Sequence, residues 1–119
     1  MAKKDNRVTP IRITDPESGE AYVLEFSRQS VKFAEARGFK ISELLDFPQT
    51  NIPAFWYYAF RKNHGEMSRA QTDALLDEMG GITSEVLERL VQLYNAPTES
   101  LIASSDEAER KNSRFLVEM

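Results

Sequence analysis

Cysteine is absent from this chain, and histidine and tryptophan occur once each, as His64 and Trp56. Without thiols there are no disulfides and no thiolate metal centre, and the cytoplasm is the simplest expected location. A single histidine cannot assemble the ligand set of a zinc site, so no metal is expected, and nothing else points to a cofactor. Long apolar runs are also missing. Nothing approaches the roughly 20 residues that span a bilayer, so no membrane association is expected. The leading Met1-Ala-Lys-Lys-Asp-Asn-Arg7 is charged with no apolar stretch behind it, unlike a signal peptide. The few glycines fall at caps and turns, and none forms a phosphate-holding loop with a following lysine.

What is present describes a globular chain. At 119 residues with 41% hydrophobic and 10% aromatic residues, one domain can bury roughly two thirds of its unfolded surface. The expected organisation is a single domain over residues 1–103, with a hairpin at 8–26 and helices over 27–103, followed by a flexible charged tail at 104–119. The net charge of −4 is uneven: residues 70–103 carry only Arg89 against six acids. An acidic half with no basic stripe argues against a protein that lives on nucleic acid, where phosphate neutralisation supplies most of the affinity. A solvated helix face accounts for those acids, and a partner with basic segments would also suit them.

The fold class expected is α+β, an N-terminal β-hairpin followed by a body of four to five α-helices. Val8–Thr14 and Glu20–Phe26 are rich in β-branched and aromatic residues and flank Asp15-Pro-Glu-Ser-Gly19, in which Pro16 and Gly19 suit a turn. Ile11 and Ile13 share one face, as do Tyr22, Leu24 and Phe26, so one side is expected to be buried. Ser27 caps a helix running to Arg37, with Gly38 ending it. Ser42 caps a short turn over Glu43–Phe47, closed by Pro48. Thr50 or Asn51 precedes an aromatic helix with Pro53 in its first turn, ending at Gly65 after a basic last turn. Ser68 opens a helix with Leu75, Leu76 and Met79 inward, stopped by Gly80-Gly81. Thr83 or Ser84 opens the next, with Val86, Leu87, Leu90, Val91 and Tyr94 as its stripe and Pro97 interrupting it. A further turn is expected over Thr98–Ala103, and the tail ends in Phe115-Leu-Val117.

The segment Ile52-Pro-Ala-Phe-Trp-Tyr-Tyr-Ala-Phe-Arg-Lys62 concentrates the aromatic content. Ile52, Phe55, Trp56, Ala59 and Phe60 recur at helical spacing in one wide stripe, while Tyr57 and Tyr58 lie off it. A helix apolar on most sides is either central to the core or presents a surface to a partner. The core reading comes first. The partner reading makes Trp56, Tyr57, Tyr58 and Arg61 the candidate contacts, with the acids Asp73 and Asp77 attracting basic partner segments.

No catalytic set is visible. A base near neutral pH is most often histidine, and His64 is expected instead to face the negative end of the aromatic helix. The carboxylates show no alternating calcium-loop pattern. Arg61, Lys62, His64 and Arg69 beside Tyr57 and Tyr58 could hold single-stranded nucleic acid, but helix-end electrostatics explain them equally well, and the net acidity disfavours it. The chain is expected not to be an enzyme.

The order of several phrases carries a resemblance. Leu24-Glu-Phe-Ser-Arg-Gln-Ser-Val31, Glu35-Ala-Arg-Gly-Phe39, Ile52 to Lys62, Gln71-Thr-Asp-Ala-Leu-Leu-Asp-Glu-Met-Gly-Gly81 and Leu93-Tyr-Asn95 together resemble the small tail assembly chaperones of long-tailed phages and prophages of Gram-positive bacteria. The resemblance spans roughly residues 8–103 and includes no catalytic residues. It implies a cytoplasmic protein that coats the helical tape measure protein, keeps it soluble, and is displaced as tail tube subunits polymerise. Self-association through the hairpin edge or a tyrosine face is a further expectation, because a two-stranded sheet leaves unpaired edges. The competing readings are a phage regulatory or nucleic-acid-associated protein and a structural component of the virion.

Overall fold

The computed structural model describes residues 8–102. The expected charged start at 1–7 and tail at 104–119 lie outside the described residues. Within them the architecture is α+β, an antiparallel hairpin followed by four α-helices.

Strand β1, Ile11–Thr14, pairs with β2, Ala21–Leu24, placing Ile11 opposite Leu24 and Ile13 opposite Tyr22. Those four share the face turned to the body, because side chains alternate along a strand. Leu24 is fully buried, whereas Arg12 and Thr14 on the other face are exposed. The turn is held by Asp15, whose carboxylate accepts from the Glu17 N–H at 2.9 Å and whose carbonyl accepts from Gly19 at 2.7 Å.

Helix α1, Arg28–Ala36, starts at Ser27, whose hydroxyl accepts from the Ser30 N–H while Ser30 returns the bond to the Ser27 N–H. This reciprocal cap satisfies two amides that an open helix end leaves unpaired. Helix α3, Arg69–Met79, repeats the device with Ser68 and Gln71. Helix α4, Ser84–Glu99, is capped by Thr83. After α1, Gly38 takes φ +86°, and the Phe39 N–H closes back on the Ala34 carbonyl at 3.1 Å. That left-handed step turns the Phe39 ring into the core.

Several local expectations are corrected. The short turn is a 3-10 turn at Ile41–Glu43, earlier than the expected Glu43–Phe47, and Ser42 does not cap it. Helix α2, Pro48–Phe60, begins at Pro48, so Pro48 opens a helix instead of closing a turn. Its fixed φ suits a first helical position, where its missing N–H has no partner to lose. The Asn51 amide meanwhile donates to the Glu43 carbonyl at 2.7 Å, tying the start of α2 to the preceding turn. Pro53 therefore sits inside α2, and Pro97 sits inside an uninterrupted α4. Each removes one backbone bond, Pro53 in the second turn of α2 and Pro97 in the last turn of α4. Finally, α2 stops at Phe60, and Met79 of α3 is 41% exposed instead of inward.

The core is built around α2. Phe55 stacks between Phe26 and Phe39, at centroid distances of 5.5 and 5.4 Å, and Tyr94 of α4 meets all three rings edge-on. Offset stacks and edge contacts are the favoured aromatic geometries, each worth about 0.5–1.5 kcal/mol beyond the area buried. Trp56 packs edge-on against Phe60 and donates its indole N–H to the Thr72 carbonyl at 2.9 Å. One helix thus joins hairpin, α1, α3 and α4.

Candidate interaction surface

Residues two apart on a helix are roughly 200° apart around its axis. Trp56 of α2 reaches Thr72 on α3, while Tyr58 meets Phe33 of α1 edge-on at 6.0 Å. Helices α1 and α3 therefore flank opposite sides of α2. Trp56 is fully buried and Tyr58 is 7% exposed, which removes both from any contact surface. Tyr58 was expected to lie off the buried stripe, but α1 covers a second side of α2, so the wheel of a single stripe under-counts what is inside.

Tyr57 and Arg61, at i and i+4, share one exposed side of this helix and its C-terminal cap. Tyr57 is half-buried and Arg61 exposed. From α1, Phe33 and Arg37 stand in the same i, i+4 relation. The Arg61 guanidinium lies over the Phe33 ring with its central carbon 4.1 Å from the centroid, and Arg37 lies over the same ring at 3.7 Å. Those distances put the two cations at most 7.8 Å apart. Attraction to the ring contributes about 0.5–1 kcal/mol for each cation at an exposed site. Repulsion between two charges near 8 Å is roughly 0.5 kcal/mol in water and is screened by salt. The ring therefore holds both in place, and among the described residues no carboxylate forms an ion pair with either.

Beside them a cleft of about 240 Å³ is lined by Ser27, Gln29, Ser30, Phe33, Arg61 and Lys62. Lys62 is neutralised locally by Glu25 at 3.0 Å, and the Asn63 amide donates to the same carboxylate oxygen at 3.0 Å. Partial burial pushes the Glu25 carboxyl up, but the bonds from Asn63 and Lys62 outweigh it and leave it below its ordinary value. Arg37 and Arg61 are thus the cations here that no described carboxylate pairs with. Phe33 and Arg37 were not singled out from sequence; the i, i+4 aromatic–arginine pair on the short α1 was the available signal.

The acidic candidates are elsewhere. Asp73 is occupied by Arg69 at 3.1 Å and Asp77 is exposed, both on α3, across α2 from α1. They do not join Tyr57 and Arg61 in one site. A wider cleft of about 740 Å³ runs between the hairpin turn and α3, lined by Asp15, Glu20, Glu66 and Glu78 among others. The Tyr22 hydroxyl there donates to Glu20 at 2.6 Å, and that bond, with burial and the nearby carboxylates, pushes its pKa up to about 12. No group of three His, Cys, Asp or Glu among the described residues could hold a metal ion.

His64 does not follow α2 as a dipole partner, because α2 ends four residues earlier. Its Nε2 instead accepts from the Val23 N–H at 2.9 Å, and the Asn63 amide donates to the Val23 carbonyl at 3.1 Å. Two side chains thereby take the outward-facing groups of Val23, the place a third strand would occupy. This covers part of the β2 edge expected to pair with a second chain.

With this geometry in view, the chain belongs to the family described as a domain of unknown function (DUF5055), whose model matches residues 1–119. No curated protein and no solved structure matches the chain. No helix among the described residues is long and apolar enough to cross a membrane.

Proposed function

We propose that this protein is a non-catalytic binding module, and that it serves as a phage tail assembly chaperone for the tape measure protein. The binding half is carried by one observation: the half-buried Phe33 ring is covered by two guanidiniums that no described carboxylate pairs with, and half-buried Tyr57 stands one helical turn before Arg61. Aromatic and arginine side chains with a polar rim are the composition of protein-binding hot spots. The chaperone half is carried by the resemblance across residues 8–103. The non-catalytic reading is supported by His64, whose Nε2 is engaged by the Val23 N–H and so is poorly placed to take a proton from a substrate.

In this reading the protein acts in the host cytoplasm, coats an amphipathic helical client and is displaced during tail assembly. Affinity near micromolar, about −8 kcal/mol, suits a partner that must later leave. The test is co-expression with the protein encoded beside it, reading the soluble fraction of that candidate client. A rise in soluble client and a complex that elutes at low salt support the proposal. Unchanged solubility with no complex overturns it.

A further inference from the structure

We infer that the groove between the β-hairpin and α3 docks an amphipathic helix of a protein partner, apolar along one side and bearing lysine or arginine beside that side. The inference rests on the reading that this chain binds a helical protein, and it adds a face and the chemistry of the segment held there. The cleft of about 740 Å³ between these elements adjoins a second of about 320 Å³, and Asp15, Tyr22, Leu75 and Glu78 line both. Leu75 and Met79 of α3, at i and i+4, form one wall, and Ile13 and Tyr22 of the hairpin form the other. Ile13, Tyr22 and Leu75 are only half-buried, and Met79 is 41% exposed. Two apolar walls thus face each other across an open groove.

Charge selects the occupant. Glu66 and Glu78 line the larger cleft and Glu17 the smaller; all three are exposed, and no described lysine or arginine pairs with them. No lysine or arginine lines either cleft. His64 lines the larger one, but its Nε2 accepts from the Val23 N–H at 2.9 Å, which a protonated imidazole cannot do. The rim is therefore negative and the walls are apolar. An apolar stripe with cations at its margins satisfies both, in the way an amphipathic helix lies in a groove. The carboxylates are not grouped to hold a metal ion, so cations spread along a chain match them better than one ion. A nucleic acid strand would be repelled by the same rim.

The experiment uses the full chain and a labelled amphipathic helical peptide of leucine and lysine, read by fluorescence anisotropy at low salt. A peptide with the same leucine stripe and glutamate for lysine runs alongside, as does one with the same lysines and serine for leucine. Binding of the leucine–lysine peptide alone is expected, and it should weaken as salt is raised. Glu66→Gln and Glu78→Gln should each weaken it about threefold, the scale of an exposed ion pair. Met79→Gln, which keeps the length of the side chain and loses its apolar surface, should weaken it about fivefold. Glu88→Gln and Glu99→Gln on α4 change the net charge equally and should leave the affinity nearly unchanged. Unchanged thermal melting of the groove variants confirms that they fold.

Equal weakening by all four glutamate variants would reduce the effect to net charge and overturn the groove. Equal binding of the serine–lysine peptide would do the same for the apolar walls. A dimer of the protein alone that Met79→Gln dissociates would make a second copy the occupant and overturn the partner. Absence of peptide binding overturns the inference outright, while the client-solubility test, which does not depend on this groove, decides the binding function separately.

Discussion

The imidazole of His64 accepts a hydrogen bond from the backbone N–H of Val23, 41 residues away, at 2.9 Å. The bond fastens the outer edge of the hairpin to the turn after α2. The same ring lies edge-on to Tyr22 and Phe60, so its contribution mixes packing with hydrogen bonding.

Two substitutions separate those parts. His64→Phe keeps an aromatic ring but leaves the half-buried Val23 N–H unpaired, and should cost about 1–3 kcal/mol. His64→Ala should cost more, because it loses the ring contacts as well. Urea denaturation measures both. A His64→Phe protein as stable as the parent would mean that water replaces the imidazole at Val23.

Trp56→Ala should destabilise by about 3–5 kcal/mol, the range for truncating a large aromatic side chain inside a core. Trp56 is fully buried, and its loss also strips the Thr72 carbonyl of its indole donor. Trp56→Phe should cost less, since most of the apolar volume remains. A melting temperature for Trp56→Ala within a degree or two of the parent would contradict its burial between α2 and α3.

Gly38→Ala should cost about 1 kcal/mol. Open space surrounds the position, so the penalty is conformational and not steric against neighbours: at φ +86° a Cβ is strained. Calorimetric melting checks it, and an unchanged melting temperature would show that the turn into Phe39 tolerates a different backbone path.

Stability should fall in strong alkali. The Glu20 hydrogen bond pushes Tyr22 up to about 12, and burial, with the charge of Glu35, pushes Tyr94 up to about 12, against an ordinary value of 10.0. Between those values the folded state holds protons that the unfolded chain has released. The stabilisation is therefore complete below pH 10 and is lost as pH rises through about 12. Tyrosine ultraviolet difference spectra against pH test this. Tyr22→Phe should remove one late-titrating group, and a spectrum with all tyrosines titrating at the ordinary value would refute it.

In acid the sign reverses for Glu25. Its carboxyl is held below the ordinary 4.5 by Asn63 and Lys62, so its contribution is present above that value and fades as pH falls through the lower folded one. Glu25→Gln should flatten the acid limb of the stability profile. An identical acid limb in the two proteins would assign acid unfolding to other carboxylates.

Features that depend on near neighbours were legible along the chain. Alternation set which side of the hairpin is buried, Ser27, Ser68 and Thr83 marked helix starts, and Gly38 and Gly80 marked helix ends. These features satisfy backbone groups within a few residues, so composition and spacing reveal them. Helix α2 needed the tertiary structure. Pro48 rather than Pro53 opens it, because a proline is tolerated at either place, and the Asn51 bond to Glu43 holds the earlier start. Tyr58 is inside because α1 packs on a second side of α2. His64 serves the hairpin because the fold carries it to Val23. Of the six residues expected to meet a partner, Tyr57 and Arg61 stay together, Trp56 and Tyr58 are buried, and Asp73 and Asp77 lie across α2 from α1. A helical wheel reports direction around one axis, and only the packing of other helices decides which directions reach solvent and which side chains from distant segments share a surface.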